Sequence, residues 1–246
     1  MIDIQKKVNI VMPMAGRGQR FIDEGYTQPK PLLKVNDKYL IEYVIDSMRF
    51  PGADFTFIIR KDHAVNFELG SILKKIVPES KIIILDEITQ GAICTILKAK
   101  KFFDSGDEVI TKDCDQIVDW VPEHFLSFVR RHNADGAIVT INTNNPGFSF
   151  ARVQENKILE TAEKIVISNF GATGIYYFKS GKDLIRYANR MIDKNIRTNN
   201  EFYVCPVYNE YVADSKLILN YPIAEMIALN TPSEFERNKI YLTSMG

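Results

Sequence analysis

Four short segments carry residue types that could handle phosphate or a cation bound to it. Pro13 to Phe21 reads PMAGRGQRF. Gly16 and Gly18 free the backbone to turn and to face its N–H groups toward an anion. Arg17 and Arg20 lie in the same loop, after the small Ala15. Next comes PKPLL, where Pro29 and Pro31 restrict the backbone on either side of Lys30 and disfavour helix there. A glycine turn, a guanidinium and a fixed ammonium together make a cradle for a polyphosphate. The GxG alone would equally suit a solvated surface loop. It is no Walker loop, because no GK[ST] follows, and no dinucleotide fingerprint, because Phe21 fills the third glycine position. In KDCDQIVD, Asp113 and Asp115 can offer oxygens to Mg²⁺, which favours carboxylates with phosphate and water. A polar strand end is the plainer reading of the same residues. ETAEK ends in an acid and a base, Glu163 and Lys164, which could also be an exposed ion pair.

The elements around these segments alternate. VNIVM (8–12), 54–59, KIIIL (81–85) and 108–111 read as buried strands, and 39–49, 64–75 and 91–100 as helices. Such alternation predicts a largely parallel sheet covered on both faces, with ligands beyond the carboxyl ends of its strands. The loops after Met12, Leu85 and Thr111 are therefore the ones that matter. After Trp120 the spacing predicts helices over 122–133, 180–194 (capped by Ser180), 204–213 and 232–241. Strands are predicted over 137–141, 150–153, 157–163, 172–178 and 216–221, which implies a mixed or antiparallel part. No repeat, low-complexity tract or linker divides the chain, so residues 1–246 read as one domain.

Composition excludes several classes. Lysine plus arginine equals aspartate plus glutamate, 31 each, so the basic excess of a nucleic-acid binder is missing. Cys94, Cys114 and Cys205 form no CxxC pair, which argues against structural zinc and suits free thiols in a reducing cytoplasm. The start, with Asp3, Lys6 and Lys7 before a short apolar run, lacks a signal peptide, and no stretch is long enough to span a membrane. His63, His124 and His132 show no metal-ligand spacing. No oligomer interface is legible.

AGRGQRF followed by PKPLL resembles the signature of the sugar-1-phosphate nucleotidylyltransferases, the nucleotidyltransferase superfamily that makes nucleotide sugars. The resemblance implies an α/β fold of nucleotide-diphospho-sugar transferase type, a Rossmann-like mixed, mostly parallel sheet flanked by helices. Residues 1–120 would bind the nucleotide and 121–246 the acceptor. It implies that Ala15, Gly16, Arg17 and Gly18 hold the triphosphate and base. Arg20 and Lys30 would neutralise the α-phosphate and the leaving pyrophosphate, and Asp115 would hold Mg²⁺, with Asp113 the weaker candidate. Gln90 and Gly91, in TQGAI, would approach the base, where an amide can serve donor or acceptor edges. Lys164 would meet the acceptor's phosphate and Glu163 its hydroxyls. Gly174, in GATGIYYF, would allow close approach of backbone to the acceptor. Asn199 to Tyr208, NNEFYVCPVY, would line the same pocket, with Glu201 among its candidates.

Two departures from the family pattern stand out. Ile165 replaces the proline that often follows the Glu-Lys pair. In EMIALNTPSEFE, Ala228 occupies the place of a second metal-binding aspartate, leaving Glu225 or Glu201 as substitutes.

The implied reaction is in-line attack by an acceptor phosphate on the α-phosphorus of a nucleoside triphosphate, with pyrophosphate leaving. A sugar 1-phosphate is the expected acceptor; a cytidylyltransferase acting on a phosphocholine-like acceptor is an alternative. A glycosyltransferase using Asp113-Cys114-Asp115 as a DxD motif is a rival, as is a non-catalytic binding domain of the same fold.

Overall fold

The computed structural model describes residues 6–244, and Asp3 lies outside that range. The chain forms β1 (Val8–Met14), α1 (Gln19–Asp23), a 3₁₀ turn over Lys30–Leu32, β2 (Lys34–Val35), β3 (Lys38–Tyr39) and α2 (Leu40–Asp46). Then come β4 (Ala53–Arg60), α3 (Lys61–Phe67), α4 (Leu69–Ile76), β5 (Lys81–Leu85), α5 (Ala92–Leu97), β6 (Glu108–Lys112), β7 (Gln116–Val118) and α6 (Pro122–Arg131). The second half holds β8 (Gly136–Asn142), β9 (Ser149–Gln154), β10 (Lys157–Glu163), β11 (Phe170–Phe178), α7 (Gly181–Asp193), α8 (Val207–Ala213), β12 (Ile218–Pro222), β13 (Met226–Ala228) and α9 (Pro232–Ser244).

Nine strands make one sheet in the order β5-β4-β1-β6-β11-β8-β12-β10-β9. The first four run parallel, and β11 joins β6 and β8 antiparallel. The strand period of two divides the core between the faces. Val8, Ile10 and Met12 of β1 pack with α2, α4, α6 and α9, whereas Val11 packs with α5, α7 and α8. On β11, Ile175 and Tyr177 face the first cluster, and Tyr176 and Phe178 the second. The result is a mixed sheet between two helical layers.

Several elements differ from the sequence expectation. The helix predicted over 64–75 is two helices, broken at Glu68, whose φ of 53° lies in the left-handed region. The helix predicted from Gly91 to Lys100 ends at Leu97 and continues as a 3₁₀ turn over Lys100–Phe102. Ser180 does cap α7, accepting from Asp183 N. The helix predicted from Val204 starts at Val207. The short ladder of β7 with β13 was not anticipated.

Candidate active site

The loops after β1, β5 and β6 all leave the sheet at the carboxyl end of its parallel strands. Lys30 reaches this end from its 3₁₀ turn. Pro29 is extended, and Pro31 sits in the first turn, where its missing N–H leaves no hydrogen bond unmade. The prolines thus permit one tight turn rather than excluding all helix. The turn directs Lys30 Nζ to Asp115 Oδ2 at 2.7 Å, with the Lys30 side chain 11% exposed. Nζ also lies 5.1 Å from the centre of the Phe21 ring. Burial pushes the Asp115 carboxyl up, but Lys30 outweighs it and holds the group below the usual aspartate range.

Asp113 lies two residues before Asp115, its N–H donating to Gly174 O at 3.0 Å. Its carboxyl is pushed up to about 7 by burial first and then by the charge of Asp115; Lys112 opposes both, and Glu163 adds to the rise. Lys112 is fully buried behind the pair and reaches Thr173 O at 3.4 Å. Burial pushes its ammonium down. Gly174 adopts φ 71°, and a Cβ there would sit 2.4 Å from Gln116 Oε1 and 2.6 Å from Asp113 Oδ2. Glycine at 174 is therefore required by backbone and space alike.

The acceptor-side candidates converge on the same place. Glu163 ends β10, is 5% exposed and accepts from Ser149 Oγ. Burial raises its carboxyl. Lys164 takes φ 57° directly after the strand and donates from Nζ to Tyr203 OH. Tyr203 is half-buried. Burial and the carboxylates of Glu201 and Glu163 push its hydroxyl up, and the guanidinium of Arg20 opposes them. Arg20 lies in α1 rather than in the glycine loop with Arg17, and is exposed. Phe202, Cys205 and Tyr208 of the same segment are core instead. Ala15 is buried, whereas Gly16, Arg17 and Gly18 are exposed; Gly18 takes φ 67° at the start of α1, and Arg60 Nη1 donates to Gly16 O at 3.4 Å. Gln90 and Gly91 stand at the head of α5 with Phe202 N donating to Gln90 O at 2.9 Å.

Ala228 lies opposite Gln116 in the β7–β13 ladder, and Leu229 N donates to Asp115 O at 2.9 Å. The departure from the family pattern therefore falls beside the aspartate pair. Glu225, just before β13, is exposed. Gln116, Lys112 and Arg197 belong to the site region but are singled out by no motif, whereas Tyr203 falls in the Asn199 to Tyr208 segment expected to line the acceptor pocket. Gln116 could have been suspected from its place directly after Asp115.

The donor set fits Mg²⁺. Two carboxylates, Asp113 and Asp115, stand two residues apart at the end of β6, the oxygen donors that Mg²⁺ prefers. Among the described residues no three His, Cys, Asp or Glu side chains gather closely enough to hold a metal alone. An ion held here would complete its shell with phosphate and water, as Mg²⁺ does. No helix among the described residues is long and apolar enough to cross a membrane.

A family model described as nucleotidyl transferase matches residues 9–217. Among solved structures, the nucleoside-diphosphate-sugar pyrophosphorylase of Vibrio cholerae RC9 superposes with a TM-score of 0.80 at 25% identity, covering 93% of this chain and 98% of that one. A UDP-glucose pyrophosphorylase complexed with UDP-glucose superposes at 0.77 and 15% identity over 98% of this chain and 100% of the other. The inositol-1-phosphate CTP transferase of T. maritima superposes at 0.75 and 13% identity over 98% and 96%. The last two likenesses bear on fold alone. Comparison with curated protein sequences returns no match.

Proposed function

The chain belongs to the nucleotidyl transferase family and is a nucleotidyltransferase, and we propose that it joins the nucleotidyl group of a nucleoside triphosphate to a sugar 1-phosphate with release of pyrophosphate. The observation that carries this reading is the convergence of Lys30, Asp115, Asp113, Glu163 and the Lys164–Tyr203 pair at one end of the sheet. A Vibrio cholerae protein of similar fold is a nucleoside-diphosphate-sugar pyrophosphorylase, which supports the choice of acceptor. In this reading residues 1–120 serve the nucleotide and 121–246 the acceptor, within one unit. Three free thiols suit a cytoplasmic setting.

The chemistry needs no protein nucleophile. Gly16 and Gly18 let backbone N–H groups approach the triphosphate, with Ala15 and Arg17 beside them. Arg20 and Lys30 neutralise charge that grows on the α-phosphate and leaving pyrophosphate. Glu163 accepts hydroxyls of the acceptor, Lys164 and Glu201 orient it, and Gly174 lets it approach the floor. Asp115, with Asp113, would hold Mg²⁺, whose chemistry when bound is to withdraw charge from phosphate oxygens. Gln90 and Gly91 contact the base.

The test is a screen of four nucleoside triphosphates against sugar 1-phosphates and other phosphorylated acceptors, including phosphocholine, read by pyrophosphate release. Release with one triphosphate and a sugar 1-phosphate is expected. Release with phosphocholine alone would reassign the acceptor, and nucleoside diphosphate released from a nucleotide sugar would make the chain a glycosyltransferase.

A further inference from the structure

The Gln90 side chain is exposed and hydrogen-bonded through its oxygen. Arg197, 107 residues away in sequence, donates from Nη2 to Gln90 Oε1 at 2.5 Å. Arg197 is itself held on three sides. Its Nε donates to Asn195 Oδ1 at 2.7 Å, its Nη1 to Asn200 O at 3.1 Å, and its guanidinium lies 3.9 Å from the Phe202 ring centre. Phe202 is 2% exposed and its backbone docks on the turn that carries Gln90: its N–H donates to Gln90 O at 2.9 Å, and its carbonyl accepts from Ile93 N at 3.2 Å. The fit leaves no room for adjustment, because a Cβ on Gly91 would lie 2.3 Å from Phe202 O. The turn that carries Gln90 and the segment that carries Arg197 are therefore joined directly, through Phe202.

A primary amide has an accepting end and a donating end, and a half-turn about its last bond exchanges them. Arginine carries donors alone, so it can pair with Oε1 and not with the NH₂. Arg197 thereby commits the oxygen and leaves Nε2 for a ligand. We infer that Arg197 is a specificity-determining positioning residue. It fixes the Gln90 amide so that Nε2 donates to the nucleobase, which must present a carbonyl oxygen or an unprotonated ring nitrogen at that edge. An exocyclic amine there would meet hydrogens with hydrogens. This inference rests on Gln90 contacting the base, as proposed above.

The test measures the dissociation constants of ATP, CTP, GTP and UTP by calorimetry, and kcat/KM for each, in the wild type and three variants. Gln90→Glu keeps an acceptor for Arg197 but removes the donating end. It should weaken the tightest-binding triphosphate about tenfold. Arg197→Met frees the amide to turn and should lower the preference for that triphosphate over the next by about fivefold. Arg197→Lys, which keeps a donor near Oε1, should retain most of the preference. If Gln90→Glu lowers the affinity while both Arg197 variants keep the wild-type preference, the inference is overturned and the base contact stands. If Gln90→Glu binds all four triphosphates as the wild type does, Gln90 does not read the base and the underlying assignment fails. Should Arg197→Met fail to fold, Arg197→Gln replaces it, since its amide can pair with either end of Gln90: the same loss of preference is expected, and wild-type preference in that variant overturns the inference.

Discussion

Lys30 Nζ and Asp115 Oδ2 stand 2.7 Å apart at the carboxyl end of the parallel strands. In the proposed reaction the phosphates take the ammonium, and the carboxylate is released to a cation. The pair thus neutralises these two groups until an anion and a cation arrive together. Because Lys30 is 11% exposed, the attraction is screened less than a surface pair would be.

Lys30→Ala should lower turnover by roughly two orders of magnitude or more, the loss expected for one preorganised charge donor. Pyrophosphate release under saturating substrates measures it. Turnover equal to wild type would remove Lys30 from the reaction.

Asp113 gives a pH signature. Its folded pKa of about 7 lies above the ordinary 3.8, so the folded chain binds this proton more tightly than the unfolded chain. The associated stability is full below about pH 4 and is lost as pH rises through about 7. Asp113→Asn, which mimics the protonated acid, should melt above the wild type by a gap that widens from pH 4 to 7 and stays level beyond. Melting curves without divalent cations test this; a gap independent of pH would contradict it.

Gly174→Ala should cost about 1–3 kcal/mol, since the added Cβ meets Gln116 and Asp113 from a left-handed backbone. Gly106→Ala is the control, because a Cβ there meets nothing within 4 Å. Urea unfolding of both variants measures the difference. Equal midpoints would show that the strand yields without strain.

Lys164→Met should raise KM for the acceptor about tenfold, the loss of one charge-assisted hydrogen bond, and leave KM for the triphosphate within about twofold. Steady-state kinetics with each substrate varied separates the two. A parallel rise in both constants would point to a packing role through Tyr203.

The parallel half of the fold is legible because its strands are unbroken apolar runs, such as 81–85, between turn residues. The break at Glu68 is not, because a glutamate in the left-handed region carries none of the signal a glycine would. The β7–β13 ladder escapes for a different reason: three-residue strands are too short to show a period. Of the site, motif residues such as Lys30 and Asp115 announce themselves by chemistry and spacing. Arg197 does not, and the segment of Tyr203 is legible but its pairing is not, since their partners Gln90 and Lys164 are 107 and 39 residues distant and only the fold brings them together.

A double-mutant cycle on Lys30 and Asp115 tests the central claim most directly. Pyrophosphate release is measured for wild type, Lys30→Ala, Asp115→Ala and the double variant at fixed Mg²⁺. If both residues act on one phosphoryl transfer, the double variant is about as slow as the slower single variant, because removing either disables the shared unit. Losses that multiply independently, or a double variant as fast as wild type, would contradict the account.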